Sequence, residues 1–589
     1  MMINANNPYL KQVKRLIFKQ NVYFFILAFC SGLIGAISVQ LLNILSLTLH
    51  KFLFHLDGNG HLSGLSYVNP WYCIFIPMIG AIGLFLVRYY MGQFFSAKIA
   101  DIIEANALYG GKLSVKDSFY LTLQTLLSNG FGISLGLESA YTQVSAAAAS
   151  KIGRFFKIKQ NKLRILVGCG AAGAIGAAFN SILGGAFYGF EIVLASYNFI
   201  NFPYIMIAAM SGYIMIHCLG GAGPVFHIVP DSIHYIDYGI VCIFSLICAI
   251  IAIMVMYGAT RIEIYINQLR IPKIYGLVAG ALMVGGMGIL TPAVLGSGHG
   301  FLWVVLDHGI AFKLAVFILF LKAIASSVSL GVGFRGGLFF ASMMLGGTAG
   351  IVYGNIVLYL GIHTFSPLVY AAIGMAVMSA SIIGGPLSMM FLSLDMTQSY
   401  SMTSVIILAV IVAIVTVRKI FGYSFATWRF HLSGKKIRSA LDISGLTRTT
   451  AQTLMKPVDF TLDYNLPLNQ VIHSLQFHHK ELLILKNEEN EYAGLVELKD
   501  IFENLVHYQE QIGELAIRKN RVLTPGMNIK EMMDGFDDIH ECPWLIVVRG
   551  TDNYEIMGIV NEDDVLNRYN EILERQIKDL TGMKLYREL

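Results

Sequence analysis

Apolar residues run through the first 450 positions in long, nearly unbroken stretches. The clearest lie at 22–49, 71–87, 165–179, 202–219, 238–257, 274–289, 312–328, 367–383 and 405–417, the seventh despite two lysines. Several reach the roughly 20 residues that a helix needs to cross hydrocarbon. Others are shorter and broken by glycine pairs. Helices that stop inside a bilayer expose backbone groups, which is tolerated only around a polar site or cavity. Most of the 58 glycines have a simpler reading, as contacts between closely packed helices. From about 453 the pattern changes to short strands alternating with amphipathic helices.

Composition separates the same two regions. The chain is 55% hydrophobic and 13% charged, with a mean hydropathy of +0.62. Soluble domains carry about 25% charged residues. A plain cytosolic enzyme and a disordered protein are therefore excluded. Residues 1–450 hold 28 basic and 12 acidic side chains, and 451–589 hold 14 and 25. The overall +5 sums unlike parts and points to no nucleic-acid partner. Basic residues cluster at 11–19, 151–164 and 418–438, which the positive-inside rule puts in the cytoplasm. Both termini are then cytoplasmic, in a multi-pass protein of the cell (inner) membrane. The first 20 residues read as an interfacial amphipathic helix rather than a cleaved leader. Six of the seven cysteines sit in the body without metal-ligand spacing and read as packing residues; no metal site is expected.

An internal repeat of about 200 residues runs through the body. SNGFGISLGLESA at 128–140 resembles SLGVGFRGGLFFA at 329–341, and NSILGGAF at 180–187 resembles ASIIGGPL at 380–387. The separations of Gly136 from Gly337 and of Ser181 from Ser381 agree within one residue. Repeated halves with glycine-broken helices predict a transporter-like fold with a site at the repeat interface, whether or not the repeats are inverted. In each half a glycine-rich turn precedes a helix start, which presents unpaired N–H groups and the positive end of a dipole. Two such starts meeting in the membrane would hold an anion. The apolar stretches contain few acids, chiefly Glu138, Glu191 and Asp395, which is poor material for a cation cage. Glu138 falls in the first turn of one helix start. It either stabilises that terminus or occupies the anion's place until protonated, which would make it a gate and a proton carrier.

These motifs resemble the CLC family of chloride channels and chloride/proton exchangers, over essentially the whole chain. The family's Gly-Arg-Glu-Gly-Pro stands here as Gly136-Leu137-Glu138-Ser139-Ala140, and its Gly-x-Phe-x-Pro as Gly337-Leu338-Phe339-Phe340-Ala341. AAFNSILGGAFYGFE and GGPLSMMFLSLDMTQSY are similar to two further family segments. The resemblance implies Glu138 as the gate. It implies anion ligands at Gly136, Leu137, Ser139, Gly337, Leu338 and Phe339. It aligns the first anion motif with Ala97, Lys98 and Ile99, and the pore tyrosine with Phe425, Tyr423 being the shifted alternative. Ala97 and Phe425 lack the hydroxyl the family has there. Lys98 is either a donor or a solvated residue at the cytoplasmic mouth. Glu191 matches a family acid and is a proton-path candidate or a buried structural acid. Ile192 stands where many exchangers carry an inner proton-relay glutamate.

The tail reads as two copies of strand, acidic turn, strand, helix, with Gly494 matching Gly558 and Asp500 matching Asp564. It resembles a tandem CBS pair, about 453–510 and 515–575. That resemblance implies Asp500 and Asp564 as candidate adenine-nucleotide residues, although both would equally cap helices. The expected architecture is an all-α multi-pass membrane domain over 1–450, with repeats at about 70–220 and 270–425, followed by a small α/β cytoplasmic CBS pair at 451–589. The expected function is CLC-type chloride transport, channel-like or weakly proton-coupled, in a homodimer within the lipid bilayer and without a resident cofactor. The alternatives are a chloride/proton antiporter, a fluoride- or nitrate-selective variant, and, in a different class, a CBS-regulated divalent-cation transporter. An intramembrane enzyme would need a nucleophile–base or metal constellation, and His217, His227, His234, His299 and His308 do not fall at ligand spacing.

Overall fold

In a computed structural model, contacts divide the chain into two units, Met1–Leu441 and Asp442–Leu589. The structure describes residues 8–56, 61–95, 100–221, 233–269, 272–362, 365–422 and 424–425 of the first and, discontinuously, residues between 449 and 571 of the second.

The first unit is helical. One run comprises α1 (Pro8–Phe54), α2 (Pro70–Leu86), α3 (Ile102–Leu108), α4 (Val115–Gly130), α5 (Glu138–Phe155), α6 (Gln160–Ala178), α7 (Ile182–Tyr188) and α8 (Phe202–Cys218). The next comprises α9 (Tyr235–Gln268), α10 (Lys273–Leu290), α11 (His299–His308), α12 (Phe312–Gly331), α13 (Phe339–Tyr359), α14 (Pro367–Ile383), α15 (Pro386–Thr397) and α16 (Tyr400–Ile420). Among the described residues, seven helices are long and apolar enough to cross a membrane, while the helices over Ile182–Leu194, Phe202–Cys218 and Pro367–Ile383 are apolar but shorter. Large apolar side chains such as Ile26, Leu41, Met254, Phe320 and Ile411 stand exposed on the long helices, as suits surfaces facing lipid.

Local chemistry sets the helix starts. Ser114, Ser181 and Ser399 accept a backbone N–H from the residue three ahead (Asp117 at 3.2 Å, Gly184 at 2.9 Å, Met402 at 3.3 Å). Prolines open α2, α14 and α15, where a missing N–H costs nothing. Small residues set the packing. A Cβ on Gly32 would overlap the Ala208 carbonyl of α8, and one on Gly212 the Gly173 carbonyl of α6. In the second run, Gly346 of α13 and Gly374 of α14 each press against the other's carbonyl. The helices therefore touch backbone to backbone, which bulky apolar contacts alone would not allow.

Two carboxylates tie the runs together reciprocally. Asp395 of α15 caps α7, accepting from the Ser181 hydroxyl at 2.6 Å and the Leu183 N–H at 3.2 Å. Glu191, on a π-helical turn (Gly189–Leu194) that continues α7, caps α15. It accepts from the N–H groups of Leu387 (3.1 Å) and Ser388 (2.9 Å) and from the hydroxyls of Ser388 (2.7 Å) and Tyr197 (2.7 Å). Phe187 and Phe391 stack between the same two helices at 4.3 Å.

The second unit is a small α/β region with two three-stranded sheets. In one, β1 (Leu462–Asp463) lies parallel to β2 (Leu482–Lys486), which pairs antiparallel with β3 (Tyr492–Glu497). In the other, β4 (Val522–Leu523) lies parallel to β5 (Trp544–Arg549), which pairs antiparallel with β6 (Glu555–Asn561). Gly494 faces Leu485 and Gly558 faces Val547, and each hairpin shifts register immediately after that pair. The two copies thus share an irregularity as well as a topology. Helical residues follow each hairpin: α17 (Leu498–Glu503) after β3, and residues 562–569 after β6. The cap of the second is Asn561, whose Oδ1 accepts the Asp563 N–H at 2.8 Å. Asp564 instead pairs with Lys456 at 2.6 Å. Asp500 lies in the first turn of α17.

Candidate anion site

Two glycine-rich loops, 131–137 between α4 and α5 and 332–338 between α12 and α13, meet inside the first unit. The Gly136 N–H donates to the Gly337 carbonyl at 2.9 Å, and the Gly337 N–H donates to the Gly136 carbonyl at 3.0 Å. Each loop is braced by a side chain. Asn129 Nδ2 donates to the Leu135 carbonyl at 2.7 Å. Arg88 reaches the other loop, its Nη2 donating to the Gly333 carbonyl at 2.7 Å and its Nε to Gln124 at 2.9 Å. Immediately past this crossing, α5 opens at Glu138 and α13 at Phe339, so two helix N-termini converge.

Glu138 sits between them, 4% exposed. Its Oε1 accepts the Phe340 N–H, in the first turn of α13, at 2.9 Å. Its Oε2 is buried without a hydrogen-bond partner among the described residues. A Cβ on either Gly136 or Gly337 would collide with this carboxylate, so only glycine leaves it room. The neighbouring Ser139 is exposed, so open space reaches the first turn of α5. The Phe340 ring is held between Phe179 (4.7 Å) and His299 (4.2 Å), and Phe179 also lies against Phe339 (4.3 Å).

The structure therefore brings Gly136, Leu137, Glu138 and Ser139 together with Gly337, Leu338 and Phe339. Ala97, Lys98, Ile99 and Tyr423 lie outside the described residues. Phe425 is half-buried and lines a cleft with Arg88, Glu263, Lys273 and Arg335. Glu191 is engaged at the start of α15 by three of its four hydrogen bonds, the fourth coming from the Tyr197 hydroxyl, and Ile192 beside it is buried.

Two residues near Glu138 carry no motif signal. Lys322, in the middle of α12, is completely buried. Its Nζ donates to the carbonyls of Val294 (3.2 Å) and Gly296 (2.9 Å). The Gly296 N–H in turn donates to the Gly132 carbonyl at 3.1 Å, which links the lysine to the first loop. The Lys322 ammonium and the Glu138 carboxylate lie within each other's electrostatic reach. Tyr141, one turn beyond Glu138 on α5, is 2% exposed. The only sign of Lys322 in the sequence is a charge inside an apolar run, a pattern that marks function in membranes. Tyr141 offers none.

Chemically, the arrangement suits a small anion. Backbone N–H groups at two helix starts supply donors and partial positive charge without strong hydrogen-bonded cages. A carboxylate now takes one of those donors. Protonation removes its charge and with it the attraction to the Phe340 N–H, so an anion can replace it.

The profile of the family described as voltage gated chloride channel matches residues 78–418, more than half of the chain. A ClcB-like protein of Ralstonia nicotianae is 27% identical over 361 residues, covering 59% of this chain and 83% of that protein. The voltage-gated ClC-type chloride channel ClcB of Citrobacter koseri is 23% identical over 393 residues, covering 66% and 94%. Among solved structures, a slow cyanobacterial Cl−/H+ antiporter superimposes with a TM-score of 0.58 at 18% identity, over 70% of this chain and 97% of that one. A eukaryotic CLC transporter does so with a TM-score of 0.56 at 14% identity, over 92% and 98%. The fold is thus CLC-like, and the chain belongs to the voltage-gated chloride channel (CLC) family.

Proposed function

We propose that the chain moves chloride across a membrane, with Glu138 as the gate of the path. Family members are channels or transporters rather than enzymes and need no cofactor, chloride being what they move. The observation that carries the gate is the Glu138 carboxylate seated on the Phe340 N–H where two helix starts converge. Gly136, Leu137, Ser139, Gly337, Leu338 and Phe339 line that seat; the Gly136 and Gly337 N–H groups are engaged with each other's carbonyls, so the backbone donors to the anion come from Leu137, Ser139, Leu338 and Phe339. Channel-like or weakly proton-coupled flow is the favoured mode. Ile192 offers no proton site on the inner side, and Glu191 is engaged as a helix cap rather than free to relay. Chloride/proton exchange is the second reading, favoured by the buried carboxyl of Glu138 in the path.

The test is chloride efflux from liposomes holding the purified protein. Chloride flux that drives proton uptake means exchange. Chloride flux without proton movement means a channel. Flux of potassium or magnesium in place of chloride overturns the proposal.

The same reading extends to the rest of the protein: a homodimer in the cell membrane, with both termini cytoplasmic. The second unit acts as a tandem CBS pair, supported by its two equivalent hairpins. Asp500 and Asp564 would meet the ribose of an adenine nucleotide, for which Asp564 must release Lys456. Equilibrium dialysis of the detergent-solubilised chain against ATP and AMP tests this. No binding of either ends the nucleotide proposal.

A further inference from the structure

The Tyr141 hydroxyl is buried and has no hydrogen-bond partner among the described residues. An unmatched hydroxyl in a dry interior is costly, so native proteins keep few of them without a use. It stands three residues after Glu138 on α5, on the same helix face. It feels the charge of Glu138, as does the phenol of Tyr188. Glu138 Oε2 is the matching oddity, a buried acceptor without a donor. Among the described residues, one unmatched donor and one unmatched acceptor thus stand a single helical turn apart, on one face of α5 at its N-terminus. A small anion satisfies this geometry. It accepts from the phenol, needs no acceptor in return, and takes the place of the carboxylate when Glu138 withdraws.

We propose that the Tyr141 hydroxyl is a direct ligand of the transported anion, donating to it beside the backbone N–H groups of α5 and α13. This rests on the chloride-transport reading and adds to it a side-chain donor that no motif assigns. A phenol donates one directional hydrogen bond, so it favours anions that accept strongly. Chloride should gain more from it than iodide, whose charge is spread over a larger radius.

The experiment is halide binding to the purified full-length protein by isothermal titration calorimetry. Tyr141→Phe removes only the oxygen. The expected result is a chloride Kd weakened by about tenfold or more, a smaller loss for iodide, and the same chloride loss when Glu138→Gln is the background. A folded Tyr141→Phe protein that binds chloride as the wild type does overturns the inference. So does a loss that vanishes in the Glu138→Gln background, because the hydroxyl would then serve the carboxylate through water. Should Tyr141→Phe not fold, Tyr141→3-fluorotyrosine keeps the shape and strengthens the donor. Tighter chloride binding then supports the ligand role, and unchanged binding overturns it. A wild-type protein that binds no halide removes the transport reading itself, an outcome separate from a wild type that binds and a variant that does not lose affinity.

Discussion

Gly136 and Gly337 exchange both of their backbone hydrogen bonds as an isolated antiparallel bridge. An antiparallel pair carries a local two-fold, so the chain leaves the crossing in opposite directions on its two passes. Each pass then opens a helix, α5 or α13, with its N-terminus at the crossing. The positive ends of both dipoles consequently face one small region, and Glu138 is the anion that now fills it.

Neutralising that carboxylate should unlock the seat. Glu138→Gln keeps the shape of the protonated acid. Chloride flux in liposomes is expected to become nearly independent of pH in the variant, and any proton coupling to stop. The wild type should move chloride faster as pH falls, because protonation releases Glu138 from the Phe340 N–H. A variant with the wild-type pH response would remove Glu138 from the gate.

Gly337→Ala places a methyl group where the Glu138 carboxylate sits. Expected outcomes are a loss of about 1–3 kcal/mol of stability and constitutive displacement of the acid. Thermal melting measures the first. A flattened pH profile of chloride flux reports the second.

Lys322, when protonated, places a positive charge in the neighbourhood of Glu138, where helix dipoles supply only fractions of one. Lys322→Met removes a charge that favours the ionised carboxylate. Protons should then capture Glu138 more readily, so the midpoint of pH-dependent flux moves upward by about one pH unit. Lys322→Arg should leave the midpoint near the wild-type value. A downward shift in the methionine variant would contradict the sign.

Glu191→Gln keeps the size of the side chain but halves its acceptor capacity at the start of α15. Stability should fall by about 1–3 kcal/mol, read as a lower melting temperature in detergent. The ratio of protons to chloride moved per folded protein should not change. A changed ratio would make Glu191 part of a proton path.

Much of this arrangement is legible in the sequence because repeats and short-range caps leave local marks. Matching Gly136 with Gly337 across the halves anticipates which two loops meet, since related loops in a two-fold arrangement cross at the axis. Gly494 and Gly558 mark equivalent points of two hairpins for a similar reason: each falls where its hairpin changes register. Few intramembrane acids are affordable, so Glu138, Glu191 and Asp395 stand out, and each carboxylate meets the start of another helix. What they cap is not legible, because Asp395 and Ser181 are joined only by the fold. Lys322 looks like a lone charge until the 294–296 carbonyls turn towards it. Tyr141 looks like one more aromatic in an apolar helix. Its unmatched hydroxyl exists only once neighbouring helices have closed around it. His299 stacks on His61 at 5.1 Å and on Phe340, contacts that sequence spacing cannot suggest.

The exchange of carboxylates between α7 and α15 bears on how the protein is made. During synthesis the first run of helices enters the bilayer well before residue 395 leaves the ribosome. Until then the Leu183 N–H at the start of α7 lacks its acceptor, and Glu191 has Tyr197 to bind but not the amides of α15. Neither broken helix is complete until the opposite run arrives, so the two should lock in a single late step. Separately expressed fragments should persist only when both are present in the same cell.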